Sequence, residues 1–235
     1  DLPFERAVEL FGETIRIGAA AGADLVLIET MSDSYEAKAA VLAAKENCDL
    51  PVLVTLIFDE KGKLLTGGTV DSTVAMLEGL RVDALGVNCG LGPEQMKPIV
   101  KRLTEVSSLP IIVNPNAGLP RSENGVTVFD IDADGFADLM GEIADLGVHG
   151  LGGCCGTTPA HISRMIEICR KKPFTAPTPK HRTVVSSFSQ TVEIGPKPVI
   201  IGERINPTGK SKFKAALREN NIEYILGEGM AQEDS

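Results

Sequence analysis

Long apolar runs are missing from this chain. The longest, such as Pro51 to Phe58, falls far short of the ~20 residues that a membrane-spanning helix requires, so no membrane partner is expected. An excess of basic residues is missing too. Lys and Arg number 23 against 32 Asp and Glu, for a net charge of −9, and no basic stripe interrupts the acidic balance. Phosphate contacts need clustered cations, so a nucleic-acid partner is excluded as well. The start, Asp1-Leu2-Pro3-Phe4, lacks the features of a signal peptide, which points to a cytoplasmic protein. The lack of Met at position 1 suggests an excised segment of a longer chain. The 5 cysteines do not make the disulfide framework of a small secreted domain. In a reducing compartment, clustered thiols take metal or catalytic roles instead.

What remains is ample for a globular fold. The 235 residues, 43% of them hydrophobic, can fill one large α/β barrel or two smaller domains. Short β-rich apolar runs alternate with amphipathic stretches, the pattern of βα units around a parallel sheet. Strands are expected over 24–30, 51–58, 83–89, 110–115 and 148–153. Helices are expected over 5–20, 34–45, 70–80, 93–106, 134–146 and 159–171. Pro93 and Pro159 suit first-turn helix positions, and Thr158 suits an N-cap. A closed parallel (β/α)8 TIM barrel has eight strands. The expectation is therefore such a barrel, incomplete at its N-terminus, over residues 1–172. The Pro-rich run 172–179 and the polar, weakly structured stretch 182–189 read as a linker spanning 173–197. Residues 198–235 then read as the beginning of a second βα barrel, with a strand at 198–202 and a helix at 211–220.

Chemistry concentrates at strand ends. Gly152-Gly153-Cys154-Cys155-Gly156 follows one strand, and Cys89 closes another in Val87-Asn88-Cys89-Gly90. In a βα barrel both addresses lie on the C-terminal face, where active sites sit. Zinc accepts thiolates at about 2.3 Å, and three protein ligands with an open fourth position mark a catalytic site. The glycines let the backbone leave the strand, so that adjacent cysteines need not face opposite ways. A buried Cys89 beside a strained vicinal disulfide, or an unligated thiol pair, are the alternatives. Glu29 ends the apolar run Leu25-Val26-Leu27-Ile28, where a carboxylate is costly unless it is solvated or paired, for instance with an amino-acid ammonium. Asn88, Asn114 and Asn116 share that rim but are also ordinary turn residues. His149, His161, His181, Cys48 and Cys169 join no constellation. No strand-to-helix dinucleotide fingerprint is present.

Three spaced motifs, Val87-Asn88-Cys89-Gly90, Asn114-Pro115-Asn116-Ala117-Gly118 and Gly152-Gly153-Cys154-Cys155-Gly156-Thr157, resemble the homocysteine S-methyltransferase family. The likeness covers roughly residues 23–171. It implies that Cys89, Cys154 and Cys155 bind zinc, that the metal takes the homocysteine sulfur, and that Glu29 and Thr30 bind the substrate. Asn116 would hold the fourth position weakly until homocysteine displaces it. Three protein thiolates leave such a site electron-rich, so the incoming thiol ionises yet stays nucleophilic.

Further on, Ile200-Ile201-Gly202-Glu203-Arg204-Ile205-Asn206-Pro207-Thr208-Gly209 resembles the opening of the pterin-binding barrel in cobalamin-dependent methionine synthases, with Glu203 and Asn206 facing a folate pterin. A simple strand followed by a Pro and Gly turn is the plain alternative. The combined resemblance implies methylcobalamin on another domain as methyl donor, methyltetrahydrofolate as its source, and the missing barrel segments as partners. An enzyme using betaine or S-methylmethionine, and a non-catalytic cysteine-zinc module with four permanent ligands, are the competing readings.

Overall fold

The structure is a computed structural model describing residues 2–195 and 197–234. Asp1 of the expected first domain, Pro196 of the expected linker and Ser235 of the expected second barrel lie outside the described residues. The chain divides into two compact units, Asp1–Glu193 and Ile194–Ser235.

The first unit alternates helix and strand: α1 (Phe4–Ala20), β1 (Val26–Met31), α2 (Ser34–Asn47), β2 (Val52–Leu56), α3 (Val70–Gly79), β3 (Ala84–Asn88), α4 (Pro93–Val106) and β4 (Ile111–Asn114). A hairpin of β5 (Arg121–Glu123) and β6 (Val126–Val128) follows, then α5 (Ala133–Ala144), β7 (Gly150–Leu151), α6 (Pro159–Cys169) and a second hairpin, β8 (Val184–Ser186) with β9 (Thr191–Glu193). Helix starts follow from side chains that satisfy orphan N–H groups. Asp33 accepts from the Glu36 amide, Asp132 accepts from the Gly135 amide, and Thr69 and Ser72 form a reciprocal capping box. Pro159 begins α6 behind Thr158, as its fixed φ favours.

The five main strands form one parallel sheet in the order β1-β2-β3-β4-β7. Their order in space is their order in sequence, without the reversal that marks a doubly wound sheet. Consecutive helices from α1 to α6 pack on one another in the same order, as they do around the outside of a βα barrel. One sheet face, carrying Val52, Val54, Leu56, Leu85, Val87, Ile111 and Val113, is buried in a single core with Leu77, Met96, Leu103, Phe136, Met140 and Ile143 of the helices. On the other face Leu27 is exposed and Leu53 and Ile112 are half-buried. Among the described residues, no helix is long and apolar enough to cross a membrane.

Two expectations are corrected. The stretch 182–189 is not weakly structured, because β8 and β9 pair Val184 with Glu193 and Ser186 with Thr191. Its tight turn is closed by the Ser187 amide donating to the Gln190 carbonyl. Arg182 pairs with Glu193 and Asp71, and the Ser72 hydroxyl donates to the Phe188 carbonyl, so these residues belong to the first unit. In the second unit, residues 198–202 form no strand, and Ile200 is 97% exposed. A strand needs a ladder partner, and this unit contains α7 (Ser211–Arg218) and α8 (Ile222–Glu233) but no second strand among its described residues.

Candidate metal and substrate site

The site is built where three parallel strands end. At the end of β3 the ladder continues one residue further, the Cys89 amide donating to the Asn114 carbonyl at 3.1 Å. The chain then turns through two left-handed residues, Cys89 (φ 57°) and Gly90 (φ 72°). Beyond β7 the chain stays tied to the strand beside it. The Gly152 amide donates to Val113 and the Cys154 amide to Pro115, at 3.1 and 2.8 Å. The turn closes when the Thr157 hydroxyl donates to the Cys154 carbonyl at 2.7 Å. Glycine is required here. A Cβ on Gly152 would stand 2.5 Å from Asn114 Oδ1, and at Gly156, where φ is 80°, a Cβ would collide with the Phe129 ring.

These turns bring three sulfurs together. Cys89 Sγ lies 3.6 Å from Cys155 Sγ, Cys154 Sγ lies 3.9 Å from Cys155 Sγ, and all three fall within 4.8 Å of one another. Zinc–sulfur bonds of about 2.3 Å in a tetrahedron place two sulfurs about 3.8 Å apart, so the donor set fits that ion. The cysteines are free, which sets aside the vicinal disulfide. Burial, reinforced by the neighbouring Cys89 thiol, pushes the Cys154 thiol up to about 12. The hydrogen bond with Cys89 chiefly raises Cys155 as well. Cys154 and Cys155 thus resist becoming thiolates, and a cation beside them would reverse that preference.

Asn116, expected as a weak fourth ligand, spends one lone pair of its oxygen on the turn beside the cysteines. Its buried side chain accepts from the Cys155 amide at 3.0 Å, and the Ala117 amide returns a bond to the Cys155 carbonyl at 2.9 Å. It braces the turn that presents Cys155.

Glu29 and Thr30 lie at the end of β1 on the same rim. Ile28 pairs with Val54 and Met31 with Leu56, so Glu29 and Thr30 together oppose Thr55 in a bulge. Thr30 is left-handed, at φ 67°. Asn88, fully buried, accepts from the Thr30 amide at 3.1 Å and donates to the Thr30 hydroxyl at 2.7 Å. The Glu29 side chain is exposed, and no cation or donor pairs with it among the described residues. By sequence alone Asn88 is an ordinary turn residue. Its partner stands 58 residues away, and only the fold shows that.

The remaining candidates lie apart from the cluster. His149 Nδ1 accepts from the Ile111 amide at the opposite end of the sheet, and His161 helps cap α6. Cys48 follows α2 and Cys169 ends α6; neither joins the thiol group. In the second unit Asn206 accepts from the Thr208 amide at 2.9 Å, and its amide nitrogen lies 3.5 Å from Glu203. A wider apolar groove of about 570 Å³, lined by Leu2, Phe4, Leu10, Phe11 and Tyr35, flanks α1 and α2 but holds no comparable cluster of reactive groups.

Comparison with known proteins adds independent findings. Residues 1–169 match the family described as Homocysteine S-methyltransferase. The chain is 35% identical over 218 residues to methionine synthase of Mycobacterium leprae (strain TN), and 32% identical over 217 residues to that of Mycobacterium tuberculosis (strain ATCC 25618 / H37Rv). Each match covers 87% of this chain and 18% of the relative, so the chain spans about a fifth of the length of the curated relatives it matches. Among solved structures, the homocysteine methyltransferase MmuM from Escherichia coli is similar in its apo form (TM-score 0.54, 27% identity, 68% of this chain and 56% of that one). Its metallated form is similar too (TM-score 0.55, 27% identity, 70% and 52%).

Proposed function

Since the chain belongs to the homocysteine S-methyltransferase family, we propose that it forms the homocysteine-binding part of a methionine synthase, in which the homocysteine thiol is methylated to methionine. The observation that carries this reading is the trio of free thiols at tetrahedral-edge spacing on one rim. Cys89, Cys154 and Cys155 would hold zinc, whose chemistry there is to keep a bound thiol ionised at neutral pH. The chain's own residues do the rest. The Glu29 carboxylate, exposed and without a protein partner among the described residues, is available to an amino-acid ammonium, with Thr30 beside it. Asn116 and the glycine turns keep the sulfurs facing one point.

The methyl donor in this reading is methylcobalamin carried by the cobalamin-binding domain of the same protein, recharged from methyltetrahydrofolate. Residues 198–235, with Glu203 and Asn206, would begin the pterin-binding barrel. The family match ends at residue 169, which is about 72% of 235 residues, whereas the likeness to methionine synthases covers 87%. It therefore runs into the segment that follows the first barrel. That extension favours the cobalamin route over betaine or S-methylmethionine as donor. The free thiols suit a reducing cytoplasm.

Zinc content and its coordination test the proposal. In the intact protein, Ser in place of Cys89, Cys154 or Cys155 should each abolish stoichiometric zinc. X-ray absorption should read three sulfurs without homocysteine and four with it. Full zinc retention by all three variants, or a shell that homocysteine leaves unchanged, rules the reading out.

A further inference from the structure

The end of β3 makes two connections in consecutive residues. Cys89 delivers a sulfur to the thiol cluster, and Asn88, one residue earlier, reaches across the sheet to Thr30. Thr30 needs such a hold. A β-branched residue at φ 67° is a backbone outlier, because its Cβ crowds the neighbouring carbonyl, and such strain persists only where surrounding structure imposes it. The bulge opens the same place in the ladder, a device that re-aims side chains beside active sites and is seldom seen between parallel strands. Asn88 engages two groups of Thr30, accepting from its amide at 3.1 Å and donating to its hydroxyl at 2.7 Å. The side chain is fully buried and spends one donor and its acceptor on a single residue.

Resting on the assignment of Glu29 to the substrate ammonium and of the three cysteines to its sulfur, we propose that Asn88 is a positioning residue that sets the spacing between these two halves of the site. Glu29 is the other residue of the bulge, so its placement follows that of Thr30. With the backbone of the Glu29–Thr30 bulge tied to the strand that carries Cys89, the base of the ammonium site keeps a set distance from the sulfur site. A rigid separation counts methylenes. Homocysteine spans it, and cysteine, one methylene shorter, does not. One methylene read by a rigid site is worth roughly 10–200-fold in discrimination. Asn88 is thus a specificity-determining residue that touches neither end of the substrate.

The test compares homocysteine with cysteine in the intact, zinc-loaded protein by calorimetry. Asn88→Ala should keep one zinc per chain, weaken homocysteine by about tenfold and change cysteine little, so that the preference collapses. In a Thr30→Gly background the left-handed turn no longer needs holding and the hydroxyl partner is gone, so Asn88→Ala should then cost less than about twofold. An unchanged homocysteine-to-cysteine ratio, or the same loss in both backgrounds, overturns the proposal. Should Asn88→Ala fail to fold, Thr30→Val removes the 2.7 Å bond from the other side and must likewise erode the ratio. If Glu29→Gln leaves homocysteine affinity untouched, the ammonium assignment itself fails. Hydrogen exchange of the Thr30 amide then decides the clamp: faster exchange in Asn88→Ala upholds it, and unchanged exchange sinks it.

Discussion

Asn116 shows how a residue beside the proposed metal site can hold one of its candidate ligands in place. Its oxygen accepts from the Cys155 amide at 3.0 Å, while the Cys155 carbonyl accepts from Ala117 at 2.9 Å, so the residue that presents the most exposed sulfur is held through both of its backbone polar groups. Without Asn116, the Cys155 amide must seek water and its turn gains freedom. Groups that orient ligands typically change metal affinity by 10–100-fold when removed. Asn116→Ala should therefore weaken zinc by about tenfold or more, measured by competition with a chromophoric chelator. Unaltered zinc affinity would return Asn116 to the rank of an ordinary turn residue. The convergence of the cysteines was legible in the sequence because Cys89 and the glycine-flanked Cys154-Cys155 each follow a strand. The roles of Asn116 and Asn88 were not, because an asparagine at a strand end looks the same whether it caps its own turn or reaches a distant strand.

At the scale of elements, the alternation of apolar runs and amphipathic stretches located all five strands of the main sheet and the six helices around it, with shifts of a residue or a few at their ends. The largest shift is β7, where pairing is confined to Gly150 and Leu151. Hairpins were harder. Asn124-Gly125 between β5 and β6 carries the two positive φ values of a tight turn, a signal present in the sequence but embedded in short, exposed strands with no core face. β8 and β9 are tied to the rest of the unit by long-range contacts, the Arg182–Asp71 pair and the bond from Ser72, which no local pattern displays. The glycine turn after β7 makes the strongest demand on its residue types. A Cβ at Gly156 would meet the Phe129 ring and force a left-handed φ on a residue that disfavours it. Gly156→Ala should cost on the order of 1–3 kcal/mol in stability by chemical denaturation, since backbone strain of this kind is of that size. The displaced turn should also lower zinc affinity. Gly195→Ala, where a Cβ meets nothing within 4 Å, is the control that should leave both unchanged.

For the whole molecule, the proposed zinc site would link folding, protons and metal through its thiols. In the metal-free protein the Cys154 thiol is pushed up to about 12 by burial and the Cys89 thiol, and Cys155 is raised by its bond to Cys89. Burial likewise raises Cys169. An unfolded thiol titrates near its ordinary value of about 8.5. Above that pH the unfolded chain gives up protons that the folded protein keeps, so the stability gained from these groups is full below about pH 8.5 and is lost as pH rises toward the folded values. Zinc held by these thiols would reverse the sign, because each ligand must surrender its proton to bind, and each proton released strengthens uptake by up to about tenfold per pH unit. Bound metal then stabilises the folded state by mass action. The melting temperature of the zinc-loaded protein should therefore exceed that of the chelator-treated protein by a margin that widens from about pH 6 upward. Above about pH 8.5 the margin should widen further, as the metal-free curve falls. Thermal melts at buffered free zinc across that range measure it directly. A margin independent of pH would mean that the metal is not held by these thiols, whatever else binds it.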